Sequence, residues 1–246
     1  MSRLLLAASA AAASAAMLAA LPAAADRNHR NALDEDGRPF GAAWSETGRF
    51  DSLAATGMDD VRLVSGSGWR IRASGDARAL SQLRFMVKDD ALIVGRTSQP
   101  RERYGKAKIE ITAPSLRAVT SAGSGAVDVE RIAGERASAT VAGSGFTTVR
   151  RLETERLNAT IAGSGGLNLS GRSQRADFTI AGSGRLAGEG FTAGSANITV
   201  AGSGSARFRS PGRVRATIVG SGSVAVTGTS DCNQTRMGSG RLVCSR

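Results

Sequence analysis

Seven serines, each held between two glycines, are the residues whose type and spacing first bring catalysis to mind: Ser124, Ser144, Ser164, Ser183, Ser203, Ser221 and Ser239. A serine in a glycine turn is the setting of a hydrolase nucleophile. Here, however, most copies read A-G-S-G rather than G-x-S-x-G. Hydrolysis also needs a base, and the one histidine of the chain, His29, lies far upstream. Nucleophilic catalysis by these serines is therefore not expected. A zinc site fails on the same count, because Cys232, Cys244 and a single histidine do not make four ligands. Calcium-binding β-rolls place an Asp in each nine-residue turn, and no such Asp recurs. Asp128, Glu153, Asp177 and Glu189 fall in different repeats and columns, so the carboxylate cluster of a polysaccharide lyase is not visible. An ice-binding face would need a regular outward lattice beside the threonines, but Ser138, Asn158, Asp177, Asn197 and Arg215 are mixed. No cofactor is expected. The Asn158, Asn168 and Asn197 sequons read as coincidental in strands.

The spacing that speaks against chemistry speaks for architecture. The first glycines of the motif are Gly123, Gly143, Gly163, Gly182, Gly202, Gly220 and Gly238, at intervals of 18 to 20 residues. Three residues before each stands a threonine, among them Thr140, Thr160, Thr179, Thr199 and Thr217. A period this regular marks a solenoid, each repeat one coil. Counting back from each glycine, positions −2, −4 and −6 are apolar, as in Val141, Ala139 and Ala137 or Ile161, Ala159 and Leu157. Counting forward from the last glycine, +2 and +4 are apolar in Val127 and Val129 or Val224 and Val226. Two strands per coil follow, each with one face inward. Leucine-rich repeats need a different framework and propeller blades a longer unit, so an all-β parallel β-helix is the expected fold. From Gly66 to Gly123 is 57 residues, three times 19, which predicts three degenerate coils before seven regular ones. Ten coils at about 4.8 Å make a rod roughly 45–50 Å long. The glycines form its corners, where positive φ and close stacking exclude a Cβ. The threonines form an outward β-branched ladder. Cys232 at −6 and Cys244 at +4 face the core of the last coil, where a disulfide would pin an otherwise open end.

Charge and the N-terminus bear on location and partners. Arg3, the apolar run from Leu4 to Leu21 and Ala23-Ala24-Ala25 read as a secretory signal peptide over residues 1–25. A transmembrane anchor is the alternative, and no later stretch approaches the roughly 20 apolar residues of a membrane span. Export would place the cysteines where a disulfide persists. The formal net charge is +11, and only Lys88, Lys106 and Lys108 among the basic residues are lysines. Arginine forks suit carboxylates and phosphates, so an anionic glycan or an envelope protein is a candidate partner, with Arg185 and Arg207 as outward contact positions. The charge by itself favours the plainer reading, a solvated face with an Arg-rich composition. Nucleic acid is disfavoured because 4% aromatic residues leave little to stack bases on. Residues 26–47 are polar and read as a linker or extension, with Phe40 or Trp44 folding back on the first coil. Residues 48–115 hold the irregular coils: runs at Val61–Leu63 and Trp69–Ile71, a strand pair Arg84–Lys88 and Ala91–Arg96 turning at Asp89-Asp90, a helical turn near 76–82, and a strand over 106–112.

Phe50-Asp51, the stretch VRLVSGSGWRIRASGD, the strand ALIVGR, the I-x-I-T-A-P segment from Ile109 to Pro114 with Leu116 after it, and the serial A-G-S-G turns together resemble the auto-transporter adhesin head domain, or GIN domain. The resemblance runs from Phe50 to about Arg246. It implies a right-handed parallel β-helix in an exported bacterial protein. No membrane barrel of alternating strands follows the helix, so display by the chain alone is not expected. The expected role is a non-enzymatic, adhesin-like binding module of the cell envelope, periplasmic or at the surface. A polysaccharide-acting β-helical enzyme and a purely structural periplasmic protein are the alternatives.

Overall fold

A computed structural model describes residues 32–41, 43–97 and 105–246; the expected signal peptide at 1–25 and His29 lie outside the described residues. The chain begins with α1 (Ala32–Glu35), β1 (Arg38–Pro39), β2 (Ser45–Glu46), β3 (Ser52–Gly57), β4 (Asp60–Ser65) and β5 (Arg70–Gly75). Then come α2 (Ala77–Gln82), β6 (Leu83–Lys88), β7 (Ala91–Arg96), β8 (Ala107–Ala113) and β9 (Ala118–Gly123). Four long strands follow: β10 (Ala126–Gly143), β11 (Phe146–Gly163), β12 (Gly166–Gly182) and β13 (Arg185–Gly202). The last elements are β14 (Ser205–Arg209), β15 (Val214–Gly220), β16 (Ser223–Thr227), β17 (Cys232–Met237) and β18 (Arg241–Ser245).

All eighteen strands among the described residues join one sheet, wound into a β-solenoid of about six turns. Each long strand is a coil, paired in parallel with the next and in register at the corner, as Gly143 with Gly163 and Gly163 with Gly182. The inward columns are those the alternation predicts: Ala137, Ala139 and Val141 are buried opposite Leu157, Ala159 and Ile161. No coil could cover this apolar face alone, and complete burial of each Val, Leu or Ile stabilises by about 1.5–3 kcal/mol. A coil also has a third, short inward segment beyond the two expected strands. Ile132, Leu152 and Phe191 fill it, and Leu116 bridges to Ile132 from below. With at most one apolar residue per coil there, and Gly171 in its place in β12, the segment shows no alternation to recognise. Large and small residues compensate across coils. Phe191 and Phe208 crowd the side of Gly188, their Cβ atoms 3.6 and 3.2 Å from where its own would stand. Phe178 packs on both rings, with centroids 6.1 and 5.0 Å away.

The ten-coil expectation is corrected at the N-terminal end. The corner beneath Gly123 is Gly57, not Gly66, and the stretch from 66 to 113 is an excursion rather than three coils. On one face β6, β7, β3, β9, β10, β11, β12, β13, β15 and β17 are stacked in that order, so the rod has the expected number of layers but fewer turns. The first layers are antiparallel: β6 with β7, and β5 with β8. The reason is local. Asp89 and Asp90 take φ of 51° and 58°, the two left-handed residues of a tight hairpin turn, which reverses the chain where a coil must advance it. Asp76 caps α2 by accepting from the Arg78 and Ala79 amides at 2.9 Å.

Of residues 26–47, expected as a linker or extension, the described residues 32–41 and 43–47 lie across this end. β1 pairs with β6 and β2 with β5, Phe40 meets Phe85 edge-on at 5.1 Å, and Arg72 stands 4.7 Å over the Trp44 ring. Together they shield the first sheet edges from further pairing. Just inside, buried Asp59 accepts from Arg96 Nε and Nη2 at 2.7 and 2.6 Å and from the Ala107 amide at 2.8 Å. The hydrogen bond to Asp59 raises the Arg96 pKa above its ordinary value.

Candidate functional site

The serine corner comes first, because it repeats most. At Gly163 the backbone has φ +115°, and a Cβ there would stand 2.5 Å from the carbonyl oxygen of Gly143. Gly143, Gly182, Gly202, Gly220 and Gly238 meet the coil below in the same way at 2.5–2.6 Å, and Gly123 meets Gly57 at 2.1 Å. The Gly143 carbonyl in turn accepts from the Ser164 and Gly165 amides at 3.0 and 2.9 Å. The glycines are thus spaced by the stacking itself. The seven serines stand exposed, one per coil, on the outer corner. Thr140, Thr160, Thr179, Thr199 and Thr217 stand opposite one another in register, an outward ladder alongside. Neither ladder gathers a base, an acid and a nucleophile at one point.

At the far end Cys232 and Cys244 form a disulfide. They continue the columns of Val214 and Val226 and pack against the core. Among the described residues no group of three His, Cys, Asp or Glu could hold a metal ion. No described helix is long and apolar enough to cross a membrane. A shallow pocket of about 440 Å³ opens beside Leu116, lined by Asp51, Arg117, Glu135 and Arg136 among others. Its charges answer each other: Arg117 Nε lies 2.7 Å from Asp51, which raises the Arg117 pKa, and Arg136 lies 4.0 Å from Glu135.

What remains is the outward face of the strands that follow each corner. Arg185 and Arg207 both lie there, exposed, one coil apart. Neither has a hydrogen-bond or ion-pair partner among the described residues. Arg209, exposed on β14 two positions beyond Arg207, shares their side. The surroundings are flat. Arg185 stands between Gly166 and Ser205, and Arg207 between Ala187 and Ala225. Asp128, in the same column as Arg207, is held by Arg150 at 2.5 Å. Exposed Glu189 lies in the register break between Gly188 and Thr192.

Sequence reasoning missed Phe146. It occupies the column of Arg185, two coils below, and is 57% exposed. Its ring lies over Gly166, where two ring carbons stand 2.6 Å from a would-be Cβ. The signal was present in the repeat. The copies of this outward position are Ala126, Phe146, Gly166, Arg185, Ser205, Ser223 and Arg241, and one large apolar residue among them has no place in the core.

Comparisons with known proteins agree with this architecture. The sequence profile described as putative auto-transporter adhesin, head GIN domain, matches residues 49–230. A crystal structure of a putative adhesin from Bacteroides fragilis is similar with a TM-score of 0.75 at 19% identity, covering 83% of this chain and 95% of that one. A putative adhesin from Parabacteroides merdae gives 0.67 at 20% identity, covering 85% and 96%. A putative lipid binding protein from Parabacteroides distasonis gives 0.66 at 21% identity, covering 83% and 95%. At these identities the likeness shows the fold alone. No curated protein matches the chain. The profile spans well over half of the sequence and ends one coil before the disulfide-closed tip. The chain therefore belongs to the GIN-domain family, described as putative auto-transporter adhesin heads.

Proposed function

We propose that this chain is an exported, non-catalytic binding rod of the bacterial cell envelope, and that it acts by presenting an outward sheet face to an anionic glycan or an envelope protein. One observation carries the reading. Arg185 and Arg207 stand exposed on the outward face of adjacent coils, neither with a hydrogen-bond or ion-pair partner among the described residues, whereas the charges of the pocket beside Leu116 answer each other. Ion pairs formed by exposed side chains are weak, but unpaired arginines on a rigid sheet are ready to take carboxylate or phosphate oxygens without losing a partner. Export is supported by the leader-like residues 1–25 and by the disulfide, which suits an oxidising compartment. Membership of an adhesin family favours binding over catalysis.

Two measurements test this together. Fractionation of cells carrying the tagged full-length chain should place it in the periplasmic or surface fraction, with residues 1–25 removed. The purified protein should bind acidic members of a glycan array, or an envelope protein, in a salt-sensitive way. Retention in the cytoplasm would overturn the export reading. A protein that binds no acidic glycan and captures no envelope protein would overturn the binding reading.

A further inference from the structure

Along the rod, the repeat itself shows what the scaffold needs, because each outward position is sampled once per coil. The position just after the corner needs only something small or hydrophilic, as Ala126, Gly166, Ser205 and Ser223 demonstrate. Phe146, Arg185 and Arg241 are the large residues of that column, and Phe146 and Arg185 stand on either side of Gly166. The next outward position runs from Asp128, Thr148 and Asn168 at one end to Val243 at the other, and Arg207 stands in it between Ala187 and Ala225. Gly166 is the key to the local shape. With no side chain, it lets the Phe146 ring lie across the sheet toward Arg185, and the covered glycine becomes buried on an otherwise exposed face. Exposing most of an aromatic ring to water is unfavourable, and the ring does not contribute to the core.

We infer that Phe146, Arg185 and Arg207 form a subsite for two adjoining acidic sugar units of a carboxylated polysaccharide. This rests on the binding role proposed above and names the ligand class and the residues. The Phe146 ring provides a platform for the apolar C–H face of a pyranose ring. The guanidinium of Arg185, next in the column, takes the carboxylate as a fork. Arg207, one coil further and two positions along, takes the carboxylate or a hydroxyl of the adjoining unit. The Gly166, Ala187, Ser205 and Ala225 floor leaves the polymer room to lie flat across the coils. Glu189 at the edge of the patch disfavours a second negative charge on that side. A folded protein partner would need a broad apolar centre, and here one ring stands alone. Single-stranded nucleic acid would need successive aromatic platforms, and this column offers one.

The test is titration of polygalacturonate into the whole protein by calorimetry, with the fully methyl-esterified polymer and an oligothymidylate of similar length as comparators. The variants are Phe146→Ala, Arg185→Ser and Arg207→Ala, each installing a residue the same column already carries in a neighbouring coil. Their circular dichroism melting curves should match that of the parent. Each should weaken polygalacturonate binding about tenfold, the loss of one charge-assisted or stacking contact. The ester should bind weakly to the parent and be affected by Phe146→Ala more than by the arginine changes. If the parent binds polygalacturonate and all three variants bind it equally well, the subsite is overturned while the binding role stands. If the parent ignores polygalacturonate, or prefers oligothymidylate, the acidic-sugar assignment is overturned, and array or pull-down results decide the wider role separately.

Discussion

Gly163→Ala and Gly57→Ala make the same chemical change at the same corner of the rod, one in the middle of the stack and one at its base. Gly57 has φ +102° and nothing within 4 Å of a new Cβ. Its replacement therefore adds only the left-handed backbone penalty, about 1–3 kcal/mol. Gly163 has φ +115° and incurs the same penalty, but its Cβ would also stand 2.5 Å from the Gly143 oxygen and 3.2 Å from the Gly143 carbon. That carbonyl cannot move freely, because it accepts from the Ser164 and Gly165 amides at 3.0 and 2.9 Å. Pushing it aside weakens both bonds, at about 1 kcal/mol each. Gly163→Ala should then destabilise by about 3–5 kcal/mol and exceed Gly57→Ala by about 2 kcal/mol. Equilibrium urea unfolding with a common m-value gives the difference directly. If the two variants lie within about 0.5 kcal/mol of each other, stacking is not what requires these glycines.

Three other expectations follow from single residues. Thr147 occupies an inward position between Val127 and Leu167, is fully buried, and its hydroxyl has no hydrogen-bond partner; Thr147→Val should raise stability by about 1–2 kcal/mol in the same urea assay, and a loss would contradict the packing described. Reducing Cys232–Cys244 releases a short loop at the open end, at a local cost of about 3 kcal/mol. Amide exchange should then accelerate across β17 and β18 while β10–β13 stay protected; unchanged protection at the tip would show that the bond does not pin it. Arg96→Met strands the Asp59 carboxylate, whose side chain is 3% exposed, and should destabilise by about 3–5 kcal/mol. Adding Asp59→Asn should recover part of that loss, and no recovery would argue against the ion pair as the cause.

The repeating half of the fold was legible because stacking imposes the same demand on every coil. Val141, Ile161 and Ile180 need an inward position, and Gly143 and Gly163 need a corner, so period and alternation appear together in the sequence. The disulfide was legible for the same reason, since Cys232 and Cys244 fall in columns already known to face inward. The N-terminal third was misread where one spacing coincided with the period. Gly66 lies three repeat lengths before Gly123, yet Gly57 is the true base of the column, and the Asp89-Asp90 reversal makes antiparallel layers that look like coils in hydropathy alone. The third inward segment escaped because Ile132, Leu152 and Phe191 come one per coil. For the surface, alternation identifies only which residues face out. Arg185 and Arg207 could be named on charge, but Phe146 stood out only when its column was compared across coils and its ring was seen over Gly166.

The central claim is that the repeated Gly-Ser-Gly corners belong to the scaffold, with their serine side chains taking no part in binding, while the departures from the repeat do the binding. Polygalacturonate titration into three proteins tests it most directly: the parent, a variant carrying Ser144→Ala, Ser164→Ala and Ser183→Ala, and a variant carrying Arg185→Ser and Arg207→Ala. The account predicts unchanged affinity for the serine variant and a loss on the order of a hundredfold for the arginine variant, two charge-assisted contacts at about tenfold each. Loss of binding in the serine variant with retention in the arginine variant would contradict it.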